Sequence, residues 1–231
     1  MIRGLIFDFD GLILDTELPG VQCWHEIYQE HGCIFPASAY ADSIGTLPRV
    51  FNVYDHLEAQ IGRPIDRDAM QQRRLRRCIE IIVQQPVLPG VEDYLKEAKR
   101  RGLKLGVASS SSREWVAGHL ERLELLSFFD HLSCGDMVAM TKPHPELYQT
   151  ALASLQIEAR EAIAFEDSPH GVTAAKAAGI FCVAVPNQVT KQLTFAHADL
   201  QLLSLAEMAF EELVTTVHQS RKKLERPRDL A

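Results

Sequence analysis

From about Lys96 onward, short β-rich apolar runs alternate with amphipathic helical stretches: LKLGVAS (103–109), HLSC (131–134), AIAFE (162–166) and FCVAV (181–185). That alternation constrains the chain more than any other feature. Strands separated by helical crossovers specify a parallel sheet built from right-handed βαβ units, with helices on both faces. An earlier run, RGLIFDF (3–9), is apolar enough to sit in the sheet centre. The helical stretches have legible ends. VEDYLKEAKRRG closes on Gly102 after a basic last turn, HGVTAAKAAG closes on Gly179, PELYQTALASLQI gives a further helix, and Ser111 with Glu114 offers a capping box.

Between Thr16 and Gln84 this rhythm fails. The segment contains ELPGVQCWHEIYQEHG, RVFNVYDHLEAQIG and DRDAMQQRRLRRCIEIIVQQ, three helical patterns with no strand. It reads as an all-helical insertion of about 70 residues in the first βα crossover, and so long an excursion with its own structure suits a lid. The expected division is an α/β core over 1–15 and 85–231 and a helical cap over 16–84, with joins at 14–16 and at PVLPG (86–90). Within the cap, Trp24, His25 and Tyr28 read as core packing, and the arginines of QQRRLRR (71–77) as a solvated helix face. The tail RKKLERPRDLA from Arg221 reads as a solvated, frayed terminus.

Charge and cysteine usage narrow the function classes. Asp plus Glu number 31 against 24 Lys plus Arg, a net charge of −7 that disfavours nucleic-acid binding. The five cysteines are odd in number, widely spaced and form no C-x-x-C pair, which argues against a disulfide framework or a zinc site and suits a reducing cytoplasm. No run of about 18 apolar residues occurs, and acidic residues interrupt the apolar stretch after Met1, so neither a membrane span nor a signal peptide is expected.

In an open α/β sheet the site lies at the carboxyl ends of the strands. There the sequence places Asp8 and Asp10 after the first strand, Ser109 after LGVA, Lys142 in TKPHPELY, and Glu166 with Asp167 after AIAF. Asp8 and Asp10 at i and i+2 are expected on the same face of a strand, where two like charges need a cation or a shared proton. With Glu166 and Asp167 they form an all-oxygen donor set without His or Cys, which suits Mg²⁺. Lys142 and the Ser109 hydroxyl then become donors for a phosphoryl group. His144 and His170 read as loop and helix-start residues.

DFDGLILDTE (8–17), ASS (108–110), KPHPELY (142–148) and FEDSPHG (165–171) resemble, in order and spacing, the four motifs of the haloacid dehalogenase-like superfamily, in its helical-cap branch with β-phosphoglucomutase and many phosphatases. The resemblance runs from Ile2 to about Asp199. It implies a Rossmann-like parallel core, Mg²⁺ as cofactor, and hydrolysis of a small phosphomonoester such as a sugar phosphate or nucleoside monophosphate. It implies Asp8 as the nucleophile that becomes aspartyl-phosphate and Asp10 as general acid and base. The metal ligands would be the Asp8 carboxylate, the Asp10 main-chain carbonyl, Asp167, and Glu166 directly or through water. Ser109, Ser110 and Lys142 would hold the phosphoryl group. Gly45 and Arg49 in SIGTLPR resemble the cap loop that dips into the site, so Arg49 is expected on a second phosphate or a sugar hydroxyl. Dehalogenating members lack the second aspartate, which is present here. A Schiff-base lysine is absent from the cap, since no Lys precedes Lys96, and Gly20 stands where the mutase has a His. Hydrolysis is therefore expected over the alternative, phosphosugar mutase activity.

Overall fold

The computed structural model describes residues 1–42 and 51–225. Its centre is a six-stranded, all-parallel sheet: β1 (Gly4–Phe7), β2 (Lys104–Ala108), β3 (His131–Ser133), β4 (Ala162–Glu166), β5 (Phe181–Ala184) and β6 (Leu200–Gln201), in the order β3-β2-β1-β4-β5-β6. The order reverses at β1. The strand alternation explains why neither face is wet. Leu5 and Phe7 of β1, Ile163 and Phe165 of β4, and Val183 of β5 face one apolar layer, while Ile6, Ala164 and Cys182 face the other. Helices α5 (Val91–Arg100), α6 (Arg113–Arg122) and α9 (Phe210–Glu225) cover the first layer, and α7 (Glu146–Leu155) and α8 (Pro169–Ala177) the second. Phe165 is the keystone of the first, stacked on Phe7 at 4.7 Å and met edge-on by Tyr94 at 5.6 Å.

Three expectations need adjustment. β1 ends at Phe7, not at residue 9, because Gly11 in the left-handed region (φ +79°) begins a turn that stops the pleat. Asp8 and Asp10 therefore leave the strand and find different partners. The cap of α6 is Ser112, whose Oγ accepts from Trp115 N at 3.3 Å, not Ser111. The chain from Arg221 to Glu225 continues α9, and Arg221 Nη2 donates to Ala162 O at 3.3 Å, so this part of the tail is anchored; residues 226–231 lie outside the described residues. β6 has two residues, too few to show a period. Gly102 and Gly179 both adopt positive φ, as their helix-terminating role requires.

Between β1 and α5 lie α1 (Glu17–Glu30), α2 (Ala37–Asp42), α3 (Val53–Ile61) and α4 (Arg67–Ile82), with no strand among the described residues. Of the three expected helices, α3 and α4 start on side-chain caps, Asn52 and Asp66, while Thr16 before α1 makes no side-chain cap bond; α2 is additional. They share a small core of Trp24, Ile27, Tyr28, Phe35, Tyr40, Val53 and Leu57. Tyr28 stays in that core because its O–H donates to Val53 O at 2.7 Å, whereas His25 is exposed. The exit and return of this segment run side by side: Leu14 bridges Val87, and Leu88 N donates to Ile13 O at 2.9 Å. Among the described residues no helix is long and apolar enough to cross a membrane.

Candidate active site

Asp8 follows β1 directly and keeps one ladder bond, its N–H donating to Phe165 O at 3.0 Å. Its Oδ1 accepts from the Phe9 N–H at 2.7 Å and pairs with Lys142 Nζ at 2.7 Å. The same ammonium lies 2.7 Å from Glu166 Oε1, which also accepts from the Tyr148 hydroxyl at 2.5 Å. Asp167 is held from the far side, with Asn187 Nδ2 donating to its Oδ2 at 2.6 Å and Thr190 Oγ1 to its carbonyl at 2.7 Å. Asp8, Lys142, Glu166 and Asp167 are all buried. Two glycines make the crowding feasible. A Cβ on Gly11 would sit 2.2 Å from Asp167 Oδ2, and one on Gly171 would sit 1.8 Å from Glu166 Oε2.

Three buried carboxylates, Asp8, Glu166 and Asp167, place ligand oxygens within 4.8 Å of one another, and one buried lysine opposes them. The charge does not balance. Burial, more than Asp8, pushes the Glu166 carboxyl up to about 7. Burial, then the charges of Asp8 and Glu166, hold Asp167 well above the usual carboxylate range. Asp8 is raised as well, by burial that Lys142 offsets only in part. Burial works against the charge on Lys142, yet Asp8 and Glu166 outweigh it and hold the ammonium above its ordinary value. A surplus of buried, hard oxygen donors with no His or Cys among them fits a divalent cation of the Mg²⁺ type.

Asp10 stands apart from this cluster. Its Oδ1 accepts from Trp115 Nε1 at 2.9 Å, and its Oδ2 from Ser111 Oγ at 2.7 Å and Ser109 Oγ at 3.3 Å. Trp115 is braced in turn by His119 at 4.2 Å, which stacks on Phe9. A cavity of about 460 Å³ opens over these groups. Asp8, Asp10, Ser109, Ser110, Lys142 and Asp167 line its floor, and Arg74, Cys78, Ile79 and Ile82 of α4 line the opposite wall. Gly20 and Tyr40 are in that wall, and His170, the second residue of α8, is at the rim of the floor. His144 is in the loop before α7, as expected. Glu166 alone of the expected floor groups does not line the cavity, since it lies behind Lys142. Gly45 and Arg49 lie outside the described residues.

Residues 5–185 match the family of haloacid dehalogenase-like hydrolases. The chain belongs to that family. It is 45% identical over 208 residues to YhcW of Bacillus subtilis, a match spanning 90% of this chain and 94% of that protein. Hexitol phosphatase B of Escherichia coli K12 is 30% identical over 217 residues, covering 92% of this chain and 97% of its own. The crystal structure of CbbY from Rhodobacter sphaeroides in complex with xylulose-1,5-bisphosphate superposes with a TM-score of 0.68 at 28% identity, over 90% of this chain and 97% of that one. The fold is thus the haloacid dehalogenase-like α/β fold, and the enzyme is a phosphatase of this superfamily acting on phosphorylated substrates.

The geometry brings in Trp115, Tyr148 and Asn187, which carry no role in the sequence reading, and gives Ser111 and Arg74 roles other than the expected ones. Ser111 is expected as a cap, and four consecutive serines leave the capping register open until Ser112 takes it. Arg74 is expected on a solvated face with its neighbours. Arg73 pairs with Glu30, and Arg77 with Glu26 and Glu80, at the surface. Arg74 instead lies over the Trp24 ring at 5.1 Å and faces the cavity. Its spacing of four from Cys78 and eight from Ile82 was the available signal, since both carry the inward stripe of α4.

Proposed function

We propose that the enzyme is a Mg²⁺-dependent phosphatase that hydrolyses a small cytoplasmic phosphomonoester, a sugar or polyol phosphate in first place, through an aspartyl-phosphate on Asp8. The observation that carries this reading is the Lys142 ammonium, 2.7 Å from both Asp8 and Glu166 at the floor of the cavity. A carboxylate repels a phosphate dianion, and a buried cation against its oxygen reduces that repulsion where it matters. Asp8 attacks phosphorus, the ester P–O bond breaks, and the Asp10 carboxyl gives its proton to the departing oxygen. In the second half Asp10 takes a proton from water, the water oxygen attacks phosphorus, and inorganic phosphate leaves with Asp8 regenerated.

Ser109, Ser110 and Lys142 hold the transferring group. Asp8, the Asp10 carbonyl, Asp167 and Glu166 hold the metal, which when bound supplies further charge neutralisation between carboxylate and phosphate. Because Glu166 Oε1 is shared by Lys142 and Tyr148, its contribution to the metal is best made through water. Residues 16–84 act as the cap, closing over the site and excluding bulk water. Arg74, and Arg49 from the cap loop, receive the distal part of the substrate.

The cap carries no lysine, and Gly20 leaves space where an added Cβ would, among the described residues, meet only Tyr40 Oη, at 3.7 Å. With few donors to hold a sugar while it turns over, the phosphoryl group goes to water. Incubation with β-glucose 1-phosphate, Mg²⁺ and catalytic glucose 1,6-bisphosphate, following glucose 6-phosphate and inorganic phosphate together, tests this. Glucose 6-phosphate formed without matching phosphate release would replace the hydrolase reading with a mutase.

A further inference from the structure

The three groups that hold the Asp10 carboxylate are chemically unequal. Ser111 Oγ and Ser109 Oγ donate to its Oδ2 at 2.7 and 3.3 Å, while Trp115 Nε1 donates to its Oδ1 at 2.9 Å. A serine hydroxyl turns about its C–O bond and both donates and accepts, so it can change partners; an indole N–H only donates, and it moves only with its ring. Ser109 is the hydroxyl with a second call on it. It is buried at the cavity floor, its Oγ accepts from Ser111 N at 3.0 Å, and in the reading above it holds the transferring phosphoryl group. Once that hydroxyl turns to a phosphoryl oxygen, Oδ2 loses one of its two partners, and the bond to Oδ1 stays.

The indole itself is fixed. Trp115 N donates to Ser112 Oγ at 3.3 Å, which sets the residue in the first turn of α6, and His119, one turn on, meets its ring edge-on at 4.2 Å. His119 is buried and stacks on Phe9, the residue between Asp8 and Asp10. The ring is thereby braced against the same stretch of backbone that carries the carboxylate it holds. On its other side lies a second cavity of about 320 Å³, lined also by Ser112, Glu114, Gly118 and His119, so that Trp115 stands as a partition lining both openings.

We propose that Trp115 is a positioning residue for the reaction: its N–H fixes Oδ1 of Asp10 and so keeps Oδ2, the oxygen beside Ser109, turned toward the phosphoryl site. The proposal rests on Asp10 being the general acid and base. A carboxyl group turns readily about its Cβ–Cγ bond, so without a partner on Oδ1 the working oxygen drifts off line. A displacement on the order of 1 Å is enough to slow a reaction by up to about 100-fold. In this role Trp115 acts through Asp10 and not on phosphorus, and its loss should matter only where the departing oxygen needs a proton.

The test compares two esters on the full-length enzyme with Mg²⁺: sorbitol 6-phosphate, whose alkoxide must be protonated as it leaves, and p-nitrophenyl phosphate, whose phenolate leaves unaided. The readout is kcat/KM, which reports the steps up to departure of the alcohol. Trp115→Phe keeps an aromatic ring and removes the donor, and it should lower kcat/KM roughly tenfold on the alkyl ester and less than about threefold on the aryl ester. In an Asp10→Ala background the same change should add less than about twofold, because its route to the reaction is already gone. Should Trp115→Phe fold poorly, an indole analogue placed at position 115 alone, with sulfur in place of the N–H, keeps the shape and should give the same selective loss. An equal loss on both esters would mark a structural role and overturn the proposal, as would an unchanged alkyl ester in a variant series where Asp10→Ala is slow. If Asp10→Ala itself spares the alkyl ester, the acid–base reading fails and takes this proposal with it.

Discussion

The floor and the opposite wall of the cavity are built on different principles. On the floor and just behind it, each carboxylate is fixed by at least one other group: Asp8 by Lys142 and a backbone N–H, Glu166 by Lys142 and Tyr148, Asp167 by Asn187, and Asp10 by Trp115 and two serines. These side chains stand on strand ends inside a sheet buried on both faces. The wall contributed by α4 is mostly aliphatic, with Leu75 and Ile79 each 43% exposed and Arg74 as its cation among the described residues. Rigid, mutually satisfied polar groups suit a reaction that does not change between substrates. A looser apolar wall suits the part that must match a substrate.

If that contrast holds, substitutions on the floor should strike chemistry and those on the wall should strike recognition. Asp8→Asn keeps the shape and loses the proposed nucleophile, so kcat should fall roughly 10³-fold or more, with Asp10→Asn costing about 10² to 10⁴. Steady-state phosphate release measures both, and an Asp8→Asn enzyme retaining a tenth of its activity would break the comparison at its strongest point. Lys142→Met should cost stability as well as rate. It leaves Asp8 and Glu166 buried without their cation, a loss of about 3 kcal/mol in urea unfolding with EDTA at pH 8.

A third consequence is linked to protons. Glu166, Asp8 and Asp167 all have carboxyl groups raised in the folded chain, so the folded state binds more protons than the unfolded state. Without metal, the Glu166 contribution is present below its unfolded value of 4.5 and is lost as pH rises to about 7. Mg²⁺ competes for the same oxygens, so the difference in Tm between Mg²⁺ and EDTA should widen from pH 5 to pH 7.5 in thermal scans. A difference that narrows would remove the carboxylate cluster as the cation site. The smallest effect belongs to the wall. Arg74→Ala should raise KM roughly tenfold for substrates with a second anionic group and leave kcat within about twofold, since it loses a charge-assisted contact made equally in ground and transition states.

The same contrast explains what the sequence disclosed. Strand ends are read from local apolar runs, and the rule that sites gather there brought Asp8, Ser109, Lys142 and Asp167 together without any tertiary information. Tyr148 and Asn187 escaped because nothing local marks them. One is an aromatic on a buried helix face and the other a loop amide, and each gains its meaning from a carboxylate that arrives from another strand. The alternation of FDFDG suggested that Asp8 and Asp10 share a face, but the turn at Gly11 overrode the pleat. In the insertion, helix existence followed from caps and spacing, while the orientation of Arg74 depended on which side of α4 the Trp24 ring would occupy.

The paired neck at Leu14 and Val87 has an architectural consequence. Antiparallel neighbours place their backbones about 5 Å apart, so excising everything between them leaves two chain ends that a short turn could rejoin without disturbing β1. Another folded unit whose termini lie equally near could be spliced through such a closely spaced doorway, provided that it replaced the contacts Cys23, Cys78 and Ile82 make with the core beneath the sheet. Substrate choice could then be transplanted between enzymes as a cassette, independently of the reaction it serves.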